Sequence, residues 1–276
     1  MFSQPLAEVG FCRFTLSQDA VRLIESEFLR FKKGIRDEFQ KRHHEVRELS
    51  DIDLWRFLAN CCEYKEVTQR GSIFDLSCFH VLSLRRNIEH EVGATGDLTE
   101  FLQQGAYKLM NCGFFVSPAQ EPEPEHEHGL EPEQTSPPAQ AQEPHVDGWN
   151  LGPQLWDLAF PNAVTVVTAI TESTTENGAT EFWPGSHLVS SRTQVLKHTR
   201  PITPNLGPGD SVMFSFRTLH RGNVNLTNED RVLLYLVFHR DHRHHRHHRV
   251  KDQNLTALGI KASLLPVETR SGRNKF

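Results

Sequence analysis

The chain has 276 residues, 37% hydrophobic and 24% charged, with a formal net charge of −5 at pH 7. That length can bury a full core, and the mild acidity gives no general drive toward nucleic acid or anionic membranes. No run of 18 apolar residues occurs, so no membrane span is expected; MFSQPLAEVG at the start lacks the regions of a signal peptide.

Cys12, Cys61, Cys62, Cys78 and Cys112 are odd in number and form no CxxC, which excludes a zinc ribbon or a disulfide framework. A reducing, cytoplasmic setting is expected, with Cys61 and Cys62 read as a buried helix pair. Residues 15–34 read as an amphipathic helix. Thr15 or Ser17 can cap it, and Val21, Ile24, Phe28 and Phe31 recur at helical spacing. Lys32 and Lys33 suit its C-terminal dipole, and Gly34 offers a stop, although the pattern carries on through Ile35 and Phe39. Residues 36–50 are charged and fit a solvated helix face or a loop. Second and third helices are predicted over 51–60 and 97–104.

The run CGFFV, 112–116, suits a buried strand. Composition then changes abruptly: 117–144 is dense in proline and glutamate, which removes donors and adds repulsion, so a disordered insertion is expected there. Beyond it the chain turns β. AVTVVTAIT (163–171), SVMFSFR (211–217) and RVLLYLVFH (231–239) read as strands, the last covered on both faces. Asn177-Gly178, Pro184-Gly185-Ser186, Pro208-Gly209-Asp210 and Gly222-Asn223 mark turns between them. A barrel or jelly roll behind a helical N-terminal third follows. Residues 239–249, HRDHRHHRHHR, and the mostly polar stretch to 276 read as a weakly ordered tail. Adventitious Zn(II) or Ni(II) binding by that run is a lesser reading.

His145 and Asp147 are separated by one residue, so on an extended strand both point to one face. His220, where an apolar strand ends, could complete a two-histidine, one-carboxylate set of the kind that suits non-heme Fe(II). Taken alone, His-x-Asp could equally be a loop hydrogen bond. Arg231 opens the most apolar strand, and a guanidinium there needs an anionic partner. Either a dicarboxylate co-substrate or an acid such as Asp210 would serve. Trp149 could line a substrate pocket or cap the core.

Together, 142–149 QEPHVDGW, 177–187 NGATEFWPGSH and 209–231 GDSVMFSFRTLHRGNVNLTNEDR resemble the phytanoyl-CoA dioxygenase family of Fe(II)/2-oxoglutarate oxygenases. The opening VGFCRFTLSQDAVRLIESEF resembles that family's start. The resemblance covers 9–33 and 142–239, is faint over 35–110, and is absent in 117–141 and beyond 241. It implies a mainly β fold, a double-stranded β-helix (jelly-roll) core with N-terminal helices packed on it. It implies a single oxygenase domain over 1–240, with a helical part over 1–110, the insertion at 117–144 and the core over 111–240, and a tail over 241–276. His145, Asp147 and His220 would bind iron, and Arg231 would hold the distal carboxylate of 2-oxoglutarate. His187, with Asn177, Gly178, Pro184, Gly185 and Ser186, would shape the barrel, and Asn225 matches an asparagine that follows the distal histidine. Many members carry a serine two residues after that histidine; here Gly222 stands there, so another contact must replace it or the co-substrate binds more loosely. Asp147 is kept, which fits a hydroxylase rather than a halogenase.

The implied activity is oxidation of an unactivated C–H bond in a small molecule, with O2 consumed and succinate and CO2 released. Neither nucleic acid nor membrane is an expected partner, and oligomeric state is left open. Two other readings stand beside it. One is a non-catalytic jelly-roll module whose low-complexity segments bind partners. The other is an oxygenase acting on protein or nucleic acid, with the 241–249 tail as its docking arm.

Overall fold

The computed structural model describes residues 2–43, 49–60, 67–70, 73–77, 96–120, 140–148, 161–189 and 191–240. Cys61, Cys62, Cys78, Trp149, most of the Pro/Glu insertion and the His/Arg tail lie outside them.

The N-terminal part is helical. A short helix α1, Ser3–Glu8, precedes strand β1, Phe11–Thr15, and the long helix α2, Gln18–Arg42. Of the two candidate caps it is Ser17 that acts, its side chain accepting from the Ala20 amide. Gly34 does not end α2. A glycine stop needs the left-handed backbone, which Gly34 does not adopt; a β-carbon there would meet open space. Helix α3, Asp51–Asn60, buries Leu54, Trp55 and Leu58. Asp51 at its start pairs with Lys32 and Arg36 of α2. Burial opposes ionisation of that carboxyl, but the two cations outweigh it and hold it below its ordinary range. Helix α4, Gly96–Gln104, matches the third expected helix.

Among the described residues, seven strands form one antiparallel sheet in the order β1-β7-β5-β9-β4-β3-β2. The remaining members are β2 (Val67–Arg70), β3 (Ile73–Ser77), β4 (Tyr107–Ser117), β5 (Ala163–Ala169), β7 (Asp210–Ser215) and β9 (Arg231–Arg240). A second layer is built from β6 (Glu181–Phe182) and β8 (His220–Arg221), extended by single bridges from His145 to His220 and from Phe182 to Ile202. This is the jelly-roll core, with the N-terminal helices packed on its large sheet.

Strand periodicity sorts the side chains. On β9, Val232, Leu234, Leu236 and Phe238 face the helical layer, where they join Phe28, Phe114, Trp55 and Ile24. Leu233, Tyr235 and Val237 face inward with Val167, Phe182, Val212 and Phe214. That is why the RVLLYLVFH run carries no polar alternation: both faces are covered. Gly209 turns the chain into β7 at φ +91°, and a β-carbon there would stand 2.7 Å from Val21 Cγ2. The turn thus clamps β7 against α2. A short helix α5, Arg192–His198, follows the 186–188 turn and packs Val195 with Trp183 and Leu219 outside the small sheet.

Candidate metal centre

His145 and Asp147 lie on an extended segment zipped to the small sheet. The His145 amide donates to the His220 carbonyl and the His220 amide returns the bond to His145, both at 2.9 Å. The Asp147 amide donates to the Phe216 carbonyl, also at 2.9 Å. Backbone pairing therefore brings residues about 75 positions apart side by side. One ligand atom from each of His145, Asp147 and His220 falls within 4.8 Å of the other two. His220 Nε2 stands 3.6 Å from Asp147 Oδ1.

Each ligand atom is aimed by a neighbour. The Nδ1–H of His145 donates to the Glu143 carbonyl at 2.9 Å, and that of His220 to the Thr218 carbonyl at 2.9 Å. A carbonyl only accepts, so Nδ1 carries a proton in both rings and Nε2 is the atom each would offer to a cation. Thr165 on β5 donates its hydroxyl to Asp147 Oδ2 at 3.0 Å, which leaves Oδ1 toward His220. Phe214 and Phe182 pack beside the His220 ring, with centroids at 4.7 and 6.1 Å. The set is two imidazoles and one carboxyl group with an apolar wall behind them. Such hard and borderline donors, leaving part of the coordination sphere open, suit a divalent transition metal.

Arg231 is 1% exposed. Its Nε donates to the Asn177 carbonyl at 3.0 Å and its Nη2 to Ser117 Oγ at 2.6 Å. Nη1 is buried with no partner among the described residues. Burial alone pushes the guanidinium down to about 10. Asp210 is not its counterion: that carboxylate accepts from Arg13 at 2.9 Å, Thr15 Oγ1 at 2.8 Å and the Gly207 amide at 3.0 Å. Among the described residues Arg231 forms no ion pair.

The turn residues build the frame. Asn177 accepts from the Thr174 amide and donates to the Glu172 carbonyl, both at 2.8 Å, fixing the loop whose carbonyl holds Arg231. Gly178 sits at φ +85°, and a β-carbon would lie 2.5 Å from the Asn223 carbonyl. Asn225 donates to the Ser117 and Glu229 carbonyls at 2.9 and 2.7 Å. His187 is buried and donates from Nε2 to the Ala7 carbonyl at 3.0 Å; desolvation lowers its pKa, which keeps it neutral. It sits away from the three-residue cluster, against the N-terminal arm.

Sequence reasoning missed Thr165, Ser117 and the Glu143 and Thr218 carbonyls. Strand alternation could have found Thr165, which shares a face with Val167 and Ala169. No sequence signal marks a backbone acceptor two residues before each histidine.

Comparison with known proteins bears on the family and the fold. The family model described as phytanoyl-CoA dioxygenase matches residues 65–233. A dioxygenase named peniF from Penicillium patulum is 38% identical over 74 residues, covering 27% of this chain and 24% of that protein. The multifunctional dioxygenase prhA of Penicillium brasilianum is 34% identical over 112 residues, covering 36% of each. The chain thus spans only about a quarter to a third of the curated relatives it matches. Among solved structures, the epimerase SnoN in complex with Fe3+, alpha ketoglutarate and nogalamycin RO superposes with a TM-score of 0.55 at 17% identity, over 87% of this chain and 82% of that one. EctD from S. alaskensis with bound Fe gives 0.53 at 14% identity, over 86% and 75%. At that identity the likeness is one of fold.

Proposed function

The chain belongs to the phytanoyl-CoA dioxygenase family, and on that premise we propose that it is an Fe(II)- and 2-oxoglutarate-dependent dioxygenase. It hydroxylates an unactivated C–H bond of a small molecule. The balance is R–H + 2-oxoglutarate + O2 → R–OH + succinate + CO2. The observation that carries this reading is the convergence of His145, Asp147 and His220, with a buried guanidinium whose Nη1 has no partner among the described residues.

The residues fit the groups the reading requires. Two imidazoles with Nδ1 committed to carbonyls and a carboxylate steered by Thr165 would hold Fe(II). Arg231 would take the distal carboxylate of 2-oxoglutarate through Nη1, giving the buried charge the anion it lacks. Iron and co-substrate, when bound, supply the oxygen-dependent oxidative decarboxylation that is coupled to C–H oxidation. The chain's own part is to bind, orient and shield. Phe182, Phe214, Val167 and Leu233 line the barrel interior and keep bulk water from it. The unit doing this is taken as residues 1–240, since β1 pairs with β7 across the chain.

A small-molecule substrate is favoured by the fold neighbours, one solved with nogalamycin RO and another with 5-hydroxyectoine. Among the described residues no helix is long and apolar enough to cross a membrane. The test is spectroscopic first. Anaerobic protein with Fe(II) and 2-oxoglutarate should show the visible charge-transfer band of a chelated 2-oxo acid, and His145→Ala should abolish it. Persistence of the band in that variant would reject the site. Iron- and oxygen-dependent release of succinate then separates an oxygenase from a non-catalytic binding module.

A further inference from the structure

The position two residues after His220 is glycine, and its neighbours leave little room beside it. A β-carbon on Gly222 would stand 2.4 Å from Ile73 Cδ1 and 3.1 Å from Gln142 Oε1. Gln142 closes the spot from the other side: its amide donates to the Gly222 carbonyl and its Oε1 accepts from the Gly222 amide, both at 2.9 Å. A side chain at position 222 would have to turn the tip of Ile73 aside and press on the Gln142 amide.

The same end of the large sheet carries a different hydroxyl. Ser117 is the Cα partner of Arg231, and Phe74 is the partner of Val116, so Ile73, Ser117 and Arg231 stand in one row across β3, β4 and β9. Their neighbours Phe74, Val116 and Val232 face the helical layer, so this row faces the barrel interior. Ser117 is 1% exposed. Its Oγ accepts from Arg231 Nη2 at 2.6 Å, and its own proton goes to no described residue. Asn225 grips its carbonyl at 2.9 Å and fixes the end of β4. Among the described residues, neither the Ser117 hydroxyl proton nor the buried Arg231 Nη1 has a partner, and the two groups are joined through Arg231 Nη2. Leaving both unmet in a dry site is costly, and a carboxylate satisfies both at once.

We propose that Ser117 is a co-substrate-binding residue, its hydroxyl completing with Arg231 the cradle for the distal carboxylate of 2-oxoglutarate and taking the place of the hydroxyl that Gly222 lacks. This deepens the oxygenase reading and rests on it. Ser117 adds a neutral donor beside the guanidinium, selecting for a dicarboxylate, and Ile73 fills the corner that a serine at 222 would occupy.

The test uses anaerobic full-length protein loaded with Mn(II) and two ligands sharing a 2-oxo acid head: 2-oxoglutarate, and 2-oxobutanoate, which has no distal carboxylate. Binding is read by calorimetry. Ser117→Ala should weaken 2-oxoglutarate about 10- to 100-fold, the loss of one hydrogen bond to a charged group, and leave 2-oxobutanoate unchanged. Ser117→Thr, which keeps the hydroxyl, should bind 2-oxoglutarate close to wild type. Unchanged 2-oxoglutarate binding in Ser117→Ala, or an equal loss for both acids, would overturn the assignment. A wild-type protein that binds both acids equally would instead overturn the reading of Arg231 beneath it.

Discussion

Replacing Arg231 by methionine separates a binding role from a structural one. Burial holds the guanidinium at about 10 against a value above 12 in water. At ~1.4 kcal/mol per factor of ten, keeping that charge in its pocket costs on the order of 3 kcal/mol. Its bonds to the Asn177 carbonyl and Ser117 Oγ return about 1.5–3 kcal/mol each. Together the two bonds match that cost or exceed it by up to about 3 kcal/mol, and methionine fills much of the volume without a charge to bury. Arg231→Met should therefore lie within ~3 kcal/mol of wild type without ligand, a Tm difference of at most about 12 °C for a chain of this size. With Mn(II) and 2-oxoglutarate at 100 times its Kd, wild type should gain ~2.7 kcal/mol. A variant binding about a hundredfold more weakly would gain only ~0.4 kcal/mol at that concentration. Thermal unfolding by circular dichroism, with and without ligand, reads both quantities. The reasoning is refuted if the variant loses more than ~4 kcal/mol unliganded, or if 2-oxoglutarate stabilises it as much as wild type.

Three further outcomes are expected. Thr165→Val removes the hydroxyl that aims Asp147 and should weaken Mn(II) binding about 10- to 100-fold, measured by titration with paramagnetic detection; equal affinity would leave Thr165 without an orienting role. Asp210 is held below its ordinary range: burial pushes the carboxyl up, but Thr15, the Gly207 amide and Arg13 outweigh it. A depressed carboxyl stabilises the fold above its unfolded value near 4 and loses that contribution as pH falls through the folded value, so wild type should exceed Asp210→Asn in stability at pH 6 and converge with it in the acid range. A gap that widens on acidification would contradict the assignment. Gly178→Ala places a β-carbon 2.5 Å from the Asn223 carbonyl at φ +85° and should cost more than ~2 kcal/mol, read by urea unfolding; a neutral result would show that the turn can shift.

Much of the architecture can be read from periodicity. The 231–239 run signals a strand covered on both faces, and β9 divides its side chains between the helical layer and the barrel interior. The order His-x-Asp, Asn-Gly, Pro-Gly-Ser-His, then His and Arg points to a cluster that the fold draws together from distant segments. Other features leave weaker traces. Helix α1 is only six residues, α5 buries just Val195, and the β2–β3 hairpin is short. Such elements are stabilised by the surface they dock on rather than by their own pattern. Gly34 looked like a stop, yet α2 passes through it. The packing of Ile24, Phe28 and Phe39 outweighs a propensity penalty of about 1 kcal/mol. By composition Ser117 belongs to the 117–144 insertion, yet it closes β4, because CGFFV ends one residue earlier in hydrophobicity than the strand does in hydrogen bonding.

The most direct measurement is anomalous diffraction from crystals grown anaerobically with Fe(II). One iron peak is predicted within coordination range of His145 Nε2, Asp147 Oδ1 and His220 Nε2 together. Iron bound elsewhere, or reached by only one of these three side chains, would contradict the account.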